Sequence, residues 1–420
     1  MAALLRDAMN RLAPESRVQF LPFTRQADGL EVVVGRLETS TFLALPLEAF
    51  EVMELLAAGK TLREAQEIFA AQHGEIPDVE FLVEVLAGKG FVAHAGDEDP
   101  QALPGVSSPR QTVQRFHFTG IPQSVAQAIF SRPALILSAV IVALALATAA
   151  SHPGLIPGWR ALFFRRNMTL MTLSLMAIGL FTTFLHEMAH LVAARAKGVL
   201  SRLSISSRMW VLVAETDMTG VWSLPRRDRF LPLLAGPLFD LVLGSLLFLI
   251  LFASQQGWIS VPLLLGRLLA ALVLGCFMRL LWQCFFFVRT DFYFVYATFF
   301  GCKNLMKDTR DYLKNRLLEL KGKAPGTDQA HIPPHEMRAI RIYSLFWILG
   351  RALAYLSLLV ITLPLTWNYL RYLGSNLLHF RTLDRHLAID SMLIVVIQLS
   401  FTLTGLGLWL KSFRPTRRPQ

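Results

Sequence analysis

Cysteine is scarce in this chain: Cys276, Cys284 and Cys302 are the only three in 420 residues, all in or beside one apolar stretch and without CxxC spacing. That speaks against a disulfide framework and against a cysteine zinc site. Charge is thin as well, at 17% of residues against 54% hydrophobic, and the hydrophobic share is gathered into several long runs. The expectation is a mainly α, polytopic membrane protein of about six transmembrane helices, with a small soluble domain. An early insertion signal is missing, because the first apolar run long enough to insert begins near Pro133. The N-terminal part is therefore expected to stay in the cytosol. Acids are outnumbered, 30 against 41 Lys and Arg, for a net charge of +11. The basic residues flank the apolar runs, so they read as positive-inside signals and not as a nucleic-acid footprint.

Residues 16–95 have a mixed, soluble character. Leu30 to Leu37 and Thr41 to Leu45 read as strands, and Pro46 opens a helix through Leu56 that Gly59 closes. Thr61 with Glu64 forms a capping box for a second helix, and Asp78 starts a third that ends near Gly88 and Gly90. Phe91-Val92-Ala93 reads as a closing strand. Residues 96–132 are a Pro, Ser, Gln and Asp-rich linker, in which Asp97-Glu98-Asp99 is a solvated acidic run.

Two runs then cross, about Pro133 to Ala150 and Met168 to Ala194, joined by a segment with Arg160, Arg165 and Arg166. From Leu200 to Trp222 the pattern alternates, which predicts a β-hairpin whose edge strand can hold an extended substrate. A third crossing, Phe230 to Ser254, contains Ala235-Gly236-Pro237 and Asp240. Ile259 to Gly301 is too long for one perpendicular crossing. It is either one long tilted helix or a span followed by a re-entrant piece. Residues 302–341 form a basic cytosolic loop, and residues 342–420 hold two last spans and a basic tail. Six spans put both termini and that loop in the cytosol. The external arginines Arg371, Arg381 and Arg385 weigh against this topology.

The second span carries His186-Glu187-Met188-Ala189-His190. Two histidines four apart lie on one helical face about 6 Å apart along the axis, so both can reach one zinc ion. Glu187 projects beside them and can accept a proton from water activated there. Ionisable residues in an apolar span are costly and mark function by default. A catalytic zinc needs a third protein ligand, and the intramembrane acids that remain are Asp240 and Asp291. Depth in the bilayer does not separate them.

A helix ending in Leu185-His186-Glu187-Met188-Ala189-His190, a β-like insert, the Ala235-Gly236-Pro237 helix and then Arg289-Thr290-Asp291-Phe292-Tyr293 resemble the site-2 protease family of intramembrane zinc metalloproteases. The likeness runs from about 168 to 305, and its nearest branch is the peptide zinc metalloproteases of peptide maturation. It implies a zinc core over residues 133–301, in which Asp291 is the third ligand and Glu187 the general base. The chain departs from the family with Phe292 for glycine, Asp240 where asparagine often stands, and Gln283 and Cys284 where an asparagine precedes the aspartate motif. Asp217 and Trp222 resemble a family pattern ahead of the Ala-Gly-Pro helix and are candidates for the substrate path.

The run Phe42-Leu43-Ala44-Leu45, Phe50 to Leu56 with Gly59-Lys60-Thr61-Leu62, and Phe81-Leu82 through Gly90-Phe91 resemble the PqqD-like family. Those α+β winged-helix domains recognise leader peptides of ribosomally made, modified peptides, adding the leader as a strand at the sheet edge. Together the two likenesses imply a bacterial inner-membrane protease that matures or exports a modified peptide. Its partners would be a precursor peptide, the lipid bilayer and a membrane-fusion-type export protein. Two other readings stay open: a non-proteolytic receptor in peptide export, and a regulatory protease that cleaves an anchored regulator. His331 and His335 are also four apart, but Pro333 and Pro334 between them break a common helical face.

Overall fold

Three short strands open the described chain: β1 (Thr24–Asp28), β2 (Glu31–Arg36) and β3 (Thr41–Pro46). The structure is a computed structural model and describes residues 14–28, 31–36, 41–92, 115–117, 120–158, 161, 168–199, 201–208, 211–302, 304–330, 332–378 and 385–412. It is mainly helical. The acidic run at 97–99, Arg160, Arg165, Arg166, His331, Arg381 and the tail from Phe413 lie outside the described residues.

The strands pair antiparallel in the order β1-β2-β3, with Val32 opposite Leu45 and Val34 opposite Leu43. This register puts Val32, Val34, Leu43 and Leu45 on one face, where they meet α1 (Leu47–Ala57) and α3 (Val79–Gly88) through Phe50, Met53 and Leu86. Val34, Met53, Leu56, Leu86 and Phe91 are fully buried, each contributing about 1.5–3 kcal/mol of burial. Between those helices, α2 (Leu62–His73) starts at Thr61 with both halves of the expected capping box. The first strand is an addition to the sequence reading. Of the expected closing strand at 91–93, Val92 forms a bridge with Phe20, and Ala93 lies outside the described residues.

Within the segment read as a linker, β4 (Arg115–His117) pairs with β5 (Arg202–Arg208), and α4 (Gln123–Ile129) precedes the first long helix. β5 and β6 (Val211–Asp217) form the expected hairpin, so the second sheet has the order β4-β5-β6. All three strands of the N-terminal sheet come up against Thr219–Ser223, the turn that follows β6.

The long helices are α5 (Arg132–Ser151), α6 (Met168–Ala196), α7 (Arg226–Gln255), α8 (Leu263–Gln283) and α11 (Pro334–Ser357). Five helices, with α4 and α5 counted as one, are long and apolar enough to cross a membrane, which suggests a membrane protein. Exposed Ile136, Leu137, Val140, Leu144 and Leu146 on α5 suit a lipid environment. Among the described residues the count is one fewer than the six expected. After α12 (Leu363–Leu378), α13 (Arg385–Ser412) offers only a shorter apolar stretch, Val395–Leu410.

The stretch from Ile259 to Gly301 is not one tilted helix. It breaks at Cys284, passes a 3-10 turn at Phe286–Val288 and restarts as α9 (Asp291–Phe300). Ten residues reach about 15 Å, too short to cross. Arg289 adopts a left-handed φ of 58°, unusual for a side chain larger than glycine, at the corner where the chain turns into α9. Tyr293 and Tyr343 pack their rings at 5.7 Å between α9 and α11; the Tyr343 hydroxyl donates to the carbonyl of Phe286 in the 3-10 turn, and the Tyr293 hydroxyl accepts from the backbone N–H of Met306 on α10 (Leu305–Leu320).

Candidate metal centre

Helix α6 turns Thr182, His186 and His190 toward α7 and α8, as their spacing of four residues requires. His186 and His190 are 4% and 1% exposed, so water cannot satisfy their ring nitrogens. His190 Nδ1 lies 2.7 Å from the carbonyl oxygen of Pro232 on α7. A carbonyl only accepts, so Nδ1 carries the hydrogen, and the neutral ring keeps its lone pair on Nε2. His186 Nδ1 lies 2.8 Å from Asp240 Oδ2, with the same consequence.

The two Nε2 atoms are 3.3 Å apart, and Asp291 Oδ2 stands 3.2 Å from one and 3.3 Å from the other. Three lone-pair atoms therefore converge in a buried place, an unfavourable arrangement unless a cation sits among them. Ligand bonds of about 2.0–2.1 Å in a tetrahedron would separate the donors by about 3.3–3.4 Å, which these spacings match. Gly236 on α7 leaves the necessary room. A Cβ at that position would come within 2.3 Å of His190 Nε2 and 2.4 Å of His186 Nε2. His186, His190 and Asp291 can thus hold a metal ion.

Asp291 arrives as the first residue of α9. Gln283, the last residue of α8, accepts the Asp291 backbone N–H at 3.0 Å through its side-chain oxygen, while the Thr290 hydroxyl donates to the Gln283 carbonyl at 2.7 Å. The amide at Gln283 therefore fixes where Asp291 begins. Phe292 lies inside the first turn of α9, and the only described residue other than glycine with positive φ is Arg289. The absent glycine therefore imposes no backbone strain there.

Asp240 is not one of the three convergent ligands. Both of its oxygens are engaged on the far side of the His186 ring, Oδ2 by His186 and Oδ1 by Arg279. The Arg279 guanidinium thus pairs with Asp240.

Glu187 is 8% exposed, and its Oε2 accepts from the Thr216 backbone N–H at 2.7 Å and from the Thr216 hydroxyl at 2.8 Å. Thr216 belongs to β6, so the hairpin sets the orientation of the carboxylate. A cavity of about 580 Å³ opens over these groups. His186, Glu187, His190 and Asp291 form its polar floor, and Leu203, Trp222 and Phe294 contribute to an apolar wall. Asp217 and Trp222, singled out in the sequence, both line it. Sequence reasoning did not find Thr182, Thr216 or the role of Gln283. Arg279 gave a usable signal, since an arginine in an apolar span needs a partner. His335 falls in the first turn of α11.

No family model, curated protein or solved structure matches this chain.

Proposed function

We propose that the chain is a zinc-dependent intramembrane endopeptidase of the site-2 protease type, acting on a precursor or membrane-associated peptide in the bacterial inner membrane. The observation that carries this reading is the convergence of His186, His190 and Asp291 beside a buried glutamate on the same helix. Two imidazoles and one carboxylate are the donor set of zinc hydrolases such as thermolysin. When bound, zinc supplies Lewis acidity toward a peptide carbonyl and makes water more acidic.

The residues of the chain do the rest. Glu187, tethered through one oxygen to Thr216, takes a proton from the attacking water and passes it to the leaving amine as the C–N bond breaks. The apolar cavity wall keeps bulk water from screening these charges. Beyond Thr216, whose N–H is taken by Glu187, the edge of β6 that no described strand pairs can align an extended peptide over the floor by backbone hydrogen bonds. The N-terminal sheet, which resembles a leader-binding domain, meets the cavity at Thr219–Ser223 and is suited to present a bound leader there. In this reading α13 makes a sixth crossing and both termini face the cytosol.

Co-expression with a precursor peptide, with zinc content measured in parallel, tests the proposal. Glu187→Gln is expected to retain zinc and abolish cleavage; sustained turnover by that variant contradicts the mechanism.

A further inference from the structure

Asp240 is 0% exposed and lies in the middle of an apolar helix, a costly place for a carboxylate. Arg279 on α8 compensates it. The arginine reaches Asp240 Oδ1 with Nε at 2.9 Å and Nη2 at 2.6 Å, and its Nη1 donates to the Thr182 hydroxyl at 2.9 Å. Thr182 precedes His186 by about one turn of the same helix. A closed chain of hydrogen bonds thus runs from α6 through α8 and α7 back to α6, ending on the ring nitrogen of His186 that faces away from the convergent lone pairs. All the polar atoms in it belong to one layer of three helices.

We propose that Asp240 and Arg279 are positioning residues for the metal centre: the carboxylate holds His186 in the tautomer and rotation that aim Nε2 at the ion, and the guanidinium, by engaging the other carboxylate oxygen, holds Asp240 in place and out of the ligand set. The proposal rests on the metal centre, and it is independent of whether the protein cleaves peptides. Metal-ligating histidines are commonly held this way by a carboxylate or carbonyl, and losing the partner weakens metal binding about ten- to a hundredfold. His190 takes the simpler route, with the Pro232 carbonyl as acceptor. The two ligands therefore differ: one is held by neutral backbone, the other by an ion pair. An asparagine at 240 offers the ring only a neutral, weaker acceptor than the carboxylate, and it would leave Arg279 uncompensated. The pair has to be present or absent together.

The test uses the full chain purified in detergent. Zinc affinity is measured by competition with a chromophoric chelator, and the cobalt(II)-loaded protein is followed by its visible absorption. Asp240→Asn is expected to weaken zinc about ten- to a hundredfold and to shift the cobalt bands. Arg279→Gln, which strands the buried carboxylate, is expected to lower the yield of folded protein. The double variant Asp240→Asn/Arg279→Gln removes both charges, so it should recover the yield while affinity stays weak. Wild-type affinity in Asp240→Asn, or recovery of affinity along with yield in the double variant, overturns the proposal and leaves the metal centre standing. A wild-type chain that takes up no divalent ion removes the metal centre itself, and the proposal with it.

Discussion

Two regions of this molecule, the N-terminal unit and the candidate metal centre, are stabilised by different means. The N-terminal unit is held by many interchangeable apolar contacts among Val34, Met53, Leu56, Leu86 and Phe91, with local devices such as the Thr61 capping box at the helix starts. The candidate metal centre is held by few polar contacts, two from α7 and one from α8, and a loss at any one of them has no neighbour to absorb it. Burial is generous in the first region and tolerates error; directionality governs the second. The same contrast separates the kinds of damage that each can survive.

The sharpest way to break that contrast is at Gly236. Replacing it with alanine puts a methyl group within 2.4 Å of both Nε2 atoms, so the two imidazole rings would have to leave the positions in which they converge. Gly236→Ala is expected to lose essentially all bound metal, by elemental analysis, while the thermal transition of the N-terminal unit is unchanged. Conversely, Leu56→Ala should cost the N-terminal unit about 2–5 kcal/mol, read by chemical denaturation, and leave metal content intact. A loss of metal in that variant would show the two regions to be one cooperative body. Thr61→Ala removes the capping bond to Glu64 and should cost about 1 kcal/mol in the same assay. The smallest effect concerns Cys302. Burial, with the charges of Glu336 and Asp308, pushes its thiol up to about 12. The stability linked to that neutral thiol is fully present below the unfolded thiol's pKa of about 8.5 and is lost progressively as the pH rises from there through the folded value. Maleimide labelling of Cys302 at pH 7–9 is expected to be negligible until the protein is unfolded in detergent.

How much of this was legible follows from range. The histidine pair needed only helical periodicity, and the capping box at Thr61 only a four-residue pattern, so both could be read directly. The third ligand needed the approach of two helices. Asp240 and Asp291 stand at comparable depth, and only packing shows that one meets the Nδ1 side of His186 and the other the Nε2 side. The first strand was hidden because Thr-Arg-Gln-Ala-Asp has no apolar alternation and is defined by its pairing with β2. The break before α9 was hidden for another reason: Cys284 to Thr290 contains neither glycine nor proline, and the turn rests on the left-handed Arg289. Thr216 carried no signal at all, being an ordinary strand threonine until the hairpin folds back onto Glu187.

The central claim is that His186, His190 and Asp291 form one metal centre. Its most direct test is the metal content of the purified full chain, wild type beside Asp291→Asn, by mass spectrometry after exhaustive dialysis against a weak chelator. The account predicts one zinc ion per wild-type chain and near-complete loss in the variant. A wild-type protein without metal, or an Asp291→Asn protein that keeps its zinc, would contradict it.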